Sequence, residues 1–278
     1  MNRSDAIKSI AAQASQGELT FPTNLDAALK IQRTLDDPDC HIETAAKLVL
    51  TEPLLAARTV AIANSVAYNR SGDQITNVRT AVMRLGFRTM QSLAASLVVR
   101  QFSSKITDPA LRAKAAKLWE HTAHVAALAH VIARRVTHLD PETAMFAAIV
   151  HEVGGFYLLS RAEQFPGLLD SDPDDWVDNG EADIGRAVLQ KLAVPDAVMS
   201  AVESLWYGFL ALPPETLGDT LLLANDLAPV ASPLHQRAGA TSKESASTID
   251  YAVGEGTMQS ILEESADEVK SLTSALLA

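Results

Sequence analysis

Four ionisable side chains lie within or beside apolar stretches of the sequence that have helical periodicity. His121 lies near the start of one such stretch; the pair His151 and Glu152 follows a second, and Asp226 ends a third. Burial of such groups costs free energy unless they are hydrogen-bonded, paired or bound to a metal. Two imidazoles and two carboxylates suit one divalent metal such as Mn, Fe, Ni or Zn. The sequence therefore predicts a metal site formed by His121, His151, Glu152 and Asp226.

Each of these residues also has an ordinary structural interpretation. A single inward-facing histidine is usually hydrogen-bonded in a protein core, and Asp226 beside Asn225 can cap a neighbouring backbone turn. The joint occurrence of the four residues is what favours a site over four separate structural roles. A metal held there would acidify a bound water for hydrolysis.

Other common sites of chemistry are missing from the sequence. It contains neither a GxxxxGK[ST] phosphate loop nor a GxGxxG dinucleotide turn, and it has no GxSxG nucleophile elbow. Cys40 is the one cysteine, so the chain forms no internal disulfide and has no cysteine-rich metal site.

The elements that must position the four residues are helices. Apolar residues recur at three- and four-residue spacings, and strand-like alternation is almost absent, which predicts an all-α fold. His121 shares its spacing with Val125, Leu128 and Ile132, so it is expected to face the core. Proline begins a helix at Pro53, and Gly86 breaks another. The predicted helices are 25–35, 44–50, 54–63, 78–85, 89–99, 111–136, 141–150, 184–192, 196–205, 217–227 and 258–277, with exposed connections at 166–180 and 236–247.

Composition and charge restrict the classes of partner. The chain has 278 residues, 47% of them hydrophobic, which is typical of a soluble globular protein with a sizeable core. Its net charge is −11, with +5 in residues 1–140 and −16 in residues 141–278. An acidic surface disfavours nucleic acid and anionic membranes, which bind clustered Lys and Arg. Nucleic-acid binding through the dispersed arginines Arg79, Arg84, Arg88 and Arg100 stays open as a weaker hypothesis.

The sequence also lacks a recognisable export or membrane segment. A spanning helix needs about 20 consecutive apolar residues, and no run approaches that length. The N-terminal stretch carries Asp5, Lys8 and Gln13, which interrupt the apolar core that a signal peptide requires. We therefore expect a cytoplasmic protein.

Several motifs together resemble the HDOD domain, the HD-related output domain of bacterial signalling proteins within the HD superfamily of metal-dependent phosphohydrolases. The matching segments are Glu52-Pro53 before a helix ending Ala63-Asn64-Ser65, Ala81-Val82 leading to Leu85-Gly86, Leu118-Trp119-Glu120-His121, and the run from Ala147 to Gly154 that contains His151-Glu152. The resemblance covers roughly residues 19–234. It implies a helical N-terminal lobe, 19–108, packed against an HD-like helical bundle, 109–234. Residues 235–278 are then a polar link followed by an amphipathic helix.

The resemblance also implies that the metal motif is degraded. Glu152 replaces the usual aspartate of the HD pair, and its extra methylene re-aims the carboxylate. Gly155 occupies the position at which related cyclic di-GMP phosphodiesterases have a lysine that helps to hold phosphate. Glu181 and the pair Leu205-Trp206 stand where those relatives have histidines. A two-metal centre is therefore not expected, and at most one divalent metal would be held, weakly.

Two hypotheses about function follow. The favoured one is a non-catalytic signalling or regulatory module that binds a protein partner in a bacterial pathway or a small signal. The apolar stripe of the C-terminal helix, 258–277, needs cover, and we expect it to fold back on its own bundle, with pairing to a partner or a second copy as the alternative. The alternative is a metal-dependent phosphohydrolase acting on a nucleotide or phosphoester. In that case His121, His151, Glu152 and Asp226 hold the metal, with Glu152 also able to act as general base.

Overall fold

The computed structural model describes residues 3–19, 30–31, 33–169, 176–208, 211, 213–234 and 257–277, and the regular elements in these ranges are all helical. This confirms the predicted all-α class. In chain order the helices are α1 (Arg3–Ser15), α2 (Ile42–Leu50), α3 (Pro53–Ala63), α4 (Val78–Ser103), α5 (Pro109–Ile132), α6 (Pro141–Val150), α7 (Val153–Ala162), α8 (Ala182–Lys191), α9 (Asp196–Tyr207), α10 (Leu217–Asp226), α11 (Thr257–Glu264) and α12 (Ala266–Leu277).

Short polar residues fix where several helices begin. The side chains of Asn77, Asp108 and Asp140 each accept a hydrogen bond from the backbone N–H three residues later, which satisfies one of the free donors of a first helical turn. Helix α10 begins with a reciprocal capping box between Thr216 and Asp219. These caps fix the residue at which α5, α6 and α10 begin. The predicted site residues lie on or next to these three helices.

Helix α4 changes direction at the predicted break. Gly86 has φ 74° and ψ 172° inside the helical span, a conformation that glycine adopts without the steric cost of a Cβ atom. The break separates the first eight residues of α4 from the long, largely buried remainder. That remainder packs against the bundle helices.

Three segments differ from their predicted form. The 111–136 helix ends in a π-helical turn, Ala133–Thr137, and the C-terminal helix is divided at Ser265. Within the predicted exposed connector, Trp176 is buried and a π-helical turn, Val177–Glu181, follows it, because a large apolar ring gains free energy from burial even in a polar segment. The 236–247 connection and most of the 25–35 helix lie outside the described residues.

Helix α5 lies at the centre of the helices that carry the candidate site. It contacts α6, α7, α10 and α12, while α4 packs against α3 on one side and against α6 and α7 on the other. Helix α12 lies on α5 and also touches α3, and its apolar residues Leu272 and Leu276 are buried within the chain. The apolar face of the C-terminal helix is thus covered by the chain itself.

One apolar segment satisfies the length and composition of a membrane span. Pro141–Ala162 has 22 residues and a mean hydropathy of 1.3, but 83% of its apolar window is buried inside the fold. It consists of α6 and α7, and it forms part of the core of the bundle.

Two glycines allow α7 and α8 to approach closely. A Cβ atom at Gly154 would lie 2.9 Å from Gly185 Cα and 3.0 Å from Gly185 N, both of which are backbone atoms. We expect Gly154→Ala to lower the free energy of unfolding by about 1–3 kcal/mol, because the helices must separate to admit the methyl group. Urea denaturation measures the effect. Ser160→Ala, on the same helix, is the control with an expected effect below about 1 kcal/mol, and equal stabilities of the two variants would contradict the close approach.

Candidate metal centre

Three of the four predicted ligands meet at the junction of three helices. His121 lies on the inward face of α5, His151 follows the last residue of α6, and Glu152 precedes α7. All three side chains are buried, with exposed fractions of 2%, 7% and 3% respectively. The short turn between α6 and α7 therefore aims an imidazole and a carboxylate at the histidine of α5.

Backbone carbonyls orient both imidazole rings. His121 Nδ1 donates to Val230 O at 2.7 Å, and His151 Nδ1 donates to Ala148 O at 2.6 Å. Because a carbonyl only accepts, these contacts assign the proton of each neutral ring to Nδ1 and leave Nε2 as an acceptor. A backbone carbonyl on the far nitrogen is the usual arrangement behind a metal-binding histidine.

The two Nε2 atoms face each other across 3.3 Å. Two acceptors at this distance repel unless a proton or a cation lies between them. Glu152 Oε1 is 3.9 Å from His121 Nε2, and one ligand atom from each of the three residues lies within 4.8 Å of the others. This is the arrangement expected of a site that holds positive charge.

The spacing of the donor atoms fits one divalent metal. Metal–nitrogen and metal–oxygen bonds of about 2.0–2.2 Å place neighbouring ligands about 3.0–3.5 Å apart in tetrahedral or octahedral geometry. The observed 3.3 Å between the imidazoles meets this range, while the carboxylate, 3.9 Å from His121 Nε2 within a cluster whose donor atoms lie within 4.8 Å of one another, must move closer to bind the same metal. Imidazole and carboxylate ligands together suit Zn, Mn, Fe or Ni. The residues present therefore fit the group that the sequence predicts.

Asp226 is not one of these three clustered residues. It is the last residue of α10, is half-buried, and accepts a hydrogen bond from Asn225 Nδ2 at 3.4 Å. Its role as a fourth ligand stays a prediction.

The segment that follows α10 closes the site, a feature that the sequence analysis missed. Val230 supplies the carbonyl that orients His121, and the side chain of Leu234 lies over Gly155 beside Glu152. A Cβ atom at Gly155 would be 2.5 Å from Leu234 Cδ1 and 3.0 Å from Glu152 Oε2. The position at which related phosphodiesterases carry a lysine is thus filled by a leucine from a distant part of the chain.

We expect Gly155→Ala to be destabilising and to be partly rescued by Leu234→Ala. The first change inserts a methyl group against Leu234 at a cost of about 1–3 kcal/mol, and the second removes the atoms that collide with it. A double-mutant cycle by urea denaturation measures the coupling. Strictly additive effects of the two substitutions would contradict the contact.

A second buried polar cluster lies farther along α5. His130 places Nε2 3.4 Å from Glu142 Oε1 and Nδ1 3.6 Å from Glu268 Oε1. Arg134 pairs with Glu268 at 2.5 Å, and Tyr68 donates to Glu142 at 2.6 Å. The cluster joins α5, α6 and α12, and it explains how the C-terminal helix is held to the bundle.

The charges of this cluster support one another. Burial lowers the pKa of His130, but Glu142 and Glu268 raise that pKa by more, so the net shift is upward from 6.5. Burial raises the pKa of Glu268, yet the nearby His130 and the hydrogen bond from Arg134 outweigh it and bring the pKa to about 2. His130 and the two carboxylates therefore stabilise one another's charged forms.

The arginines considered for nucleic-acid binding are mostly engaged within the chain. Arg79 pairs with Glu43, Arg88 pairs with Asp140, and Arg84 donates to Asn69. Arg100 lies against the ring of Trp119. These contacts neutralise part of the positive charge that a phosphate backbone would need, so they give the nucleic-acid hypothesis no support.

Comparisons with solved structures show the same fold. A Shewanella amazonensis protein provisionally described as a metal-dependent phosphohydrolase is 21% identical, with a TM-score of 0.78 over 99% of this chain and 100% of its own. An HDOD domain protein of unknown function from Geobacter sulfurreducens is 20% identical, with a TM-score of 0.64 over 98% of this chain and 97% of its own. At such identities the likeness concerns the fold alone.

A third structure, from Marinobacter aquaeolei and provisionally described as a signal transduction protein, is 18% identical with a TM-score of 0.62. The match covers 99% of this chain and 66% of the Marinobacter aquaeolei chain. A search of curated proteins found no match.

The family model of the HDOD domain matches residues 21–205, which is well over half of the chain. The chain therefore belongs to the HDOD domain family.

Proposed function

We propose that this protein is a non-catalytic regulatory module of a bacterial signalling pathway, acting in the cytoplasm through a protein partner or a small signal, with one divalent metal at its centre. Membership of the HDOD family supports a signalling-related HD-type domain. The observation that carries the proposal is the pairing of a buried His121–His151–Glu152 cluster with a neighbouring position, Gly155, that is filled by Leu234. The buried cluster favours metal binding, whereas an apolar side chain over Gly155 disfavours catalytic turnover.

The surroundings of the cluster lack the positive charge that turnover needs. Phosphoester hydrolysis builds negative charge on the transferred group, and enzymes stabilise it with cationic side chains or fixed donors. Beside Glu152 the chain presents the apolar side chain of Leu234 and the bare backbone of Gly155. A metal bound by the cluster would supply Lewis acidity. The neighbouring surface formed by Leu234 and Gly155 is apolar, however, where a phosphate group would need a cationic side chain.

Enclosure of the ligands supports the same conclusion. The three clustered side chains are each less than a tenth exposed, and the carbonyl of Val230 is fixed to one of them. A metal in such a site holds α5, α6 and α7 together, which suits a structural or sensing role for the domain. Binding of a partner can then depend on whether the site is filled.

The second candidate function is a metal-dependent phosphohydrolase. Glu152 favours it, because a buried carboxylate 3.9 Å from His121 Nε2 is placed to orient or deprotonate a water. The provisional description of the Shewanella amazonensis structure is that of such an enzyme. The two candidates share the metal and differ only in turnover.

A hydrolysis assay separates the candidates. The purified protein, loaded in turn with Mn²⁺, Fe²⁺, Ni²⁺ and Zn²⁺, is incubated with nucleoside mono-, di- and triphosphates and a phosphodiester, and phosphate or nucleotide products are quantified. We expect no product above the level of His121→Ala. Multiple turnovers that His121→Ala abolishes, while His124→Ala retains them, would establish the enzyme instead.

A further inference from the structure

The most unusual side chain outside the metal centre is Arg58, on α3. It is 1% exposed, and the residues that the structure describes provide no hydrogen-bond acceptor for its Nε, Nη1 or Nη2. A guanidinium stays protonated in proteins, so this is a full buried charge with five N–H donors to satisfy. A buried polar group of this kind points to a binding partner or to a bound ion.

A second arginine shares the same surroundings. The Cζ atoms of Arg58 and Arg100 lie 5.7 and 5.6 Å from the centre of the Trp119 ring, and Arg100 Nη1 is also buried without a described acceptor. Burial lowers the pKa of Arg100, the direction expected when a cation loses solvent. One fully buried cation, Arg58, and one half-buried cation, Arg100, therefore adjoin one indole.

The charge of the two arginines meets a helix end and, in the cleft beside Arg100, the carboxylate of Glu120. Trp119 Nε1 donates to the carbonyl of Leu276, so the C-terminal end of α12 points toward the cluster. A helix end carries a charge equivalent to roughly −0.5, against two full positive charges. Neither arginine is in an ion pair with a carboxylate among the described residues, in contrast to Arg134 with Glu268.

A cleft gives access to this cluster from solvent. Its volume is about 470 Å³, and Arg100, Arg112, Ser103 and Trp119 line it, together with Glu120 and Leu277. A small oxyanion fits within this volume. Arg58 does not line the cleft itself, but it contacts the ring of Trp119, which does.

The cluster is separate from the metal centre. Trp119 and His121 are two residues apart on α5, which places them about 200° apart around the helix axis. His121 faces α6 and α7 at the metal centre, whereas Trp119 faces α12 and the two arginines. An anion at the arginines would therefore be bound independently of the metal.

We propose that Arg58 and Arg100, beside Trp119, form a binding site for a small oxyanion, namely phosphate or the phosphoryl group of a small molecule, reached through the cleft that Arg112 lines. Planar guanidinium groups bind phosphate oxygens through paired N–H donors. The anion satisfies the donors of Arg58 that have no acceptor among the described residues, and it places negative charge beside both guanidinium groups. This inference does not depend on the proposed function.

The test is thermal unfolding in sodium phosphate against sodium chloride at equal ionic strength, with isothermal calorimetry of inorganic phosphate as the direct readout. We expect the wild-type Tm to rise with phosphate and to saturate. In chloride, Arg58→Met should be as stable as the wild type or more stable, because it removes an unpaired buried charge. Its affinity for phosphate should fall by at least about tenfold.

The variants also separate specific binding from general salt effects. Phosphate also stabilises proteins weakly without binding to a specific site. That general effect would raise the Tm without saturation and by the same amount in the wild type and in Arg58→Met. Arg58→Lys keeps the charge but loses the paired donors, so a reduced, saturable shift is expected. A wild-type response identical to that of Arg58→Met, or marked destabilisation of Arg58→Met in chloride, would overturn the proposal.

Discussion

His121→Ala is expected to remove stoichiometric divalent metal from the purified protein. Its Nε2 is one of three donor atoms within 4.8 Å of one another, so the substitution leaves one imidazole and one carboxylate. Loss of an outer partner of a metal ligand alone costs about 10–100-fold in affinity, and loss of a ligand should exceed this. Elemental analysis after exposure to Mn²⁺, Fe²⁺, Ni²⁺ or Zn²⁺ measures the metal content, and titration against a chelator measures its affinity.

The chain offers a matched control for this experiment. His124 lies three residues after His121 on α5, is half-buried, and is not in the cluster. His124→Ala should keep the wild-type metal content. Equal metal content in His121→Ala and in the wild type would contradict the assignment of His121 as a ligand.

The second large effect is expected from His130→Ala. The substitution leaves Glu142 and Glu268 close together in the core without the imidazolium between them. Removal of one partner from a buried ion pair costs about 3–5 kcal/mol, because the remaining charge stays desolvated. Urea denaturation at pH 6 should show a loss of about 3 kcal/mol in the free energy of unfolding, against less than about 1 kcal/mol for His124→Ala. A loss as small as that of His124→Ala would show that the ion pairs contribute little.

The effect of His130→Ala should depend on pH. The folded pKa of His130 is raised above 6.5, so its contribution is complete below that value and is lost as pH rises through the folded pKa. The folded pKa of Glu268 is lowered from 4.5 to about 2, so its contribution is complete above 4.5 and is lost as pH falls toward 2.

The difference in stability between the wild type and His130→Ala should therefore be largest between about pH 4.5 and 6.5 and smaller at pH 9. Urea denaturation at pH 5.5, 7 and 9 measures the trend. A difference that grows between pH 5.5 and pH 9 would contradict the ion-pair arrangement of this cluster.

Much of the fold could be predicted because its signals are local. Apolar spacing specified most helices, Pro53 and Pro141 marked two helix starts, and Gly86 marked a break that the backbone confirms with a positive φ. Proline and glycine act through the conformation of their own residue, so their effect can be recognised without the tertiary structure. Trp176 could not be placed in this way, because its burial depends on helices distant in sequence.

The candidate site could be predicted only in part. The three clustered ligands were found because their residue types are rare on apolar helical faces. The carbonyl of Val230 and the side chain of Leu234 were not found, because a backbone group and a leucine carry no chemical signal until the fold brings them to His121 and Gly155.

The buried ion pairs and the unpartnered arginine were also missed. Glu268 lies 138 positions after His130, and no local pattern relates them. Arg58 lies in an alanine-rich helix where a charged residue is ordinarily solvent-exposed. Its 1% exposure follows only from tertiary packing, in which α3 contacts α4 and α12 and Arg58 lies over Trp119. Long-range pairing of this kind depends on the tertiary structure and not on sequence periodicity.

The most direct measurement is an anomalous difference map from crystals of the metal-loaded protein. The account predicts one peak about 2.0–2.2 Å from Nε2 of both His121 and His151, with a Glu152 oxygen completing the set. The same map decides whether Asp226 is a ligand. A peak that none of these imidazoles touches, or no peak between them in crystals grown with excess Zn²⁺ and Mn²⁺, would contradict the metal assignment.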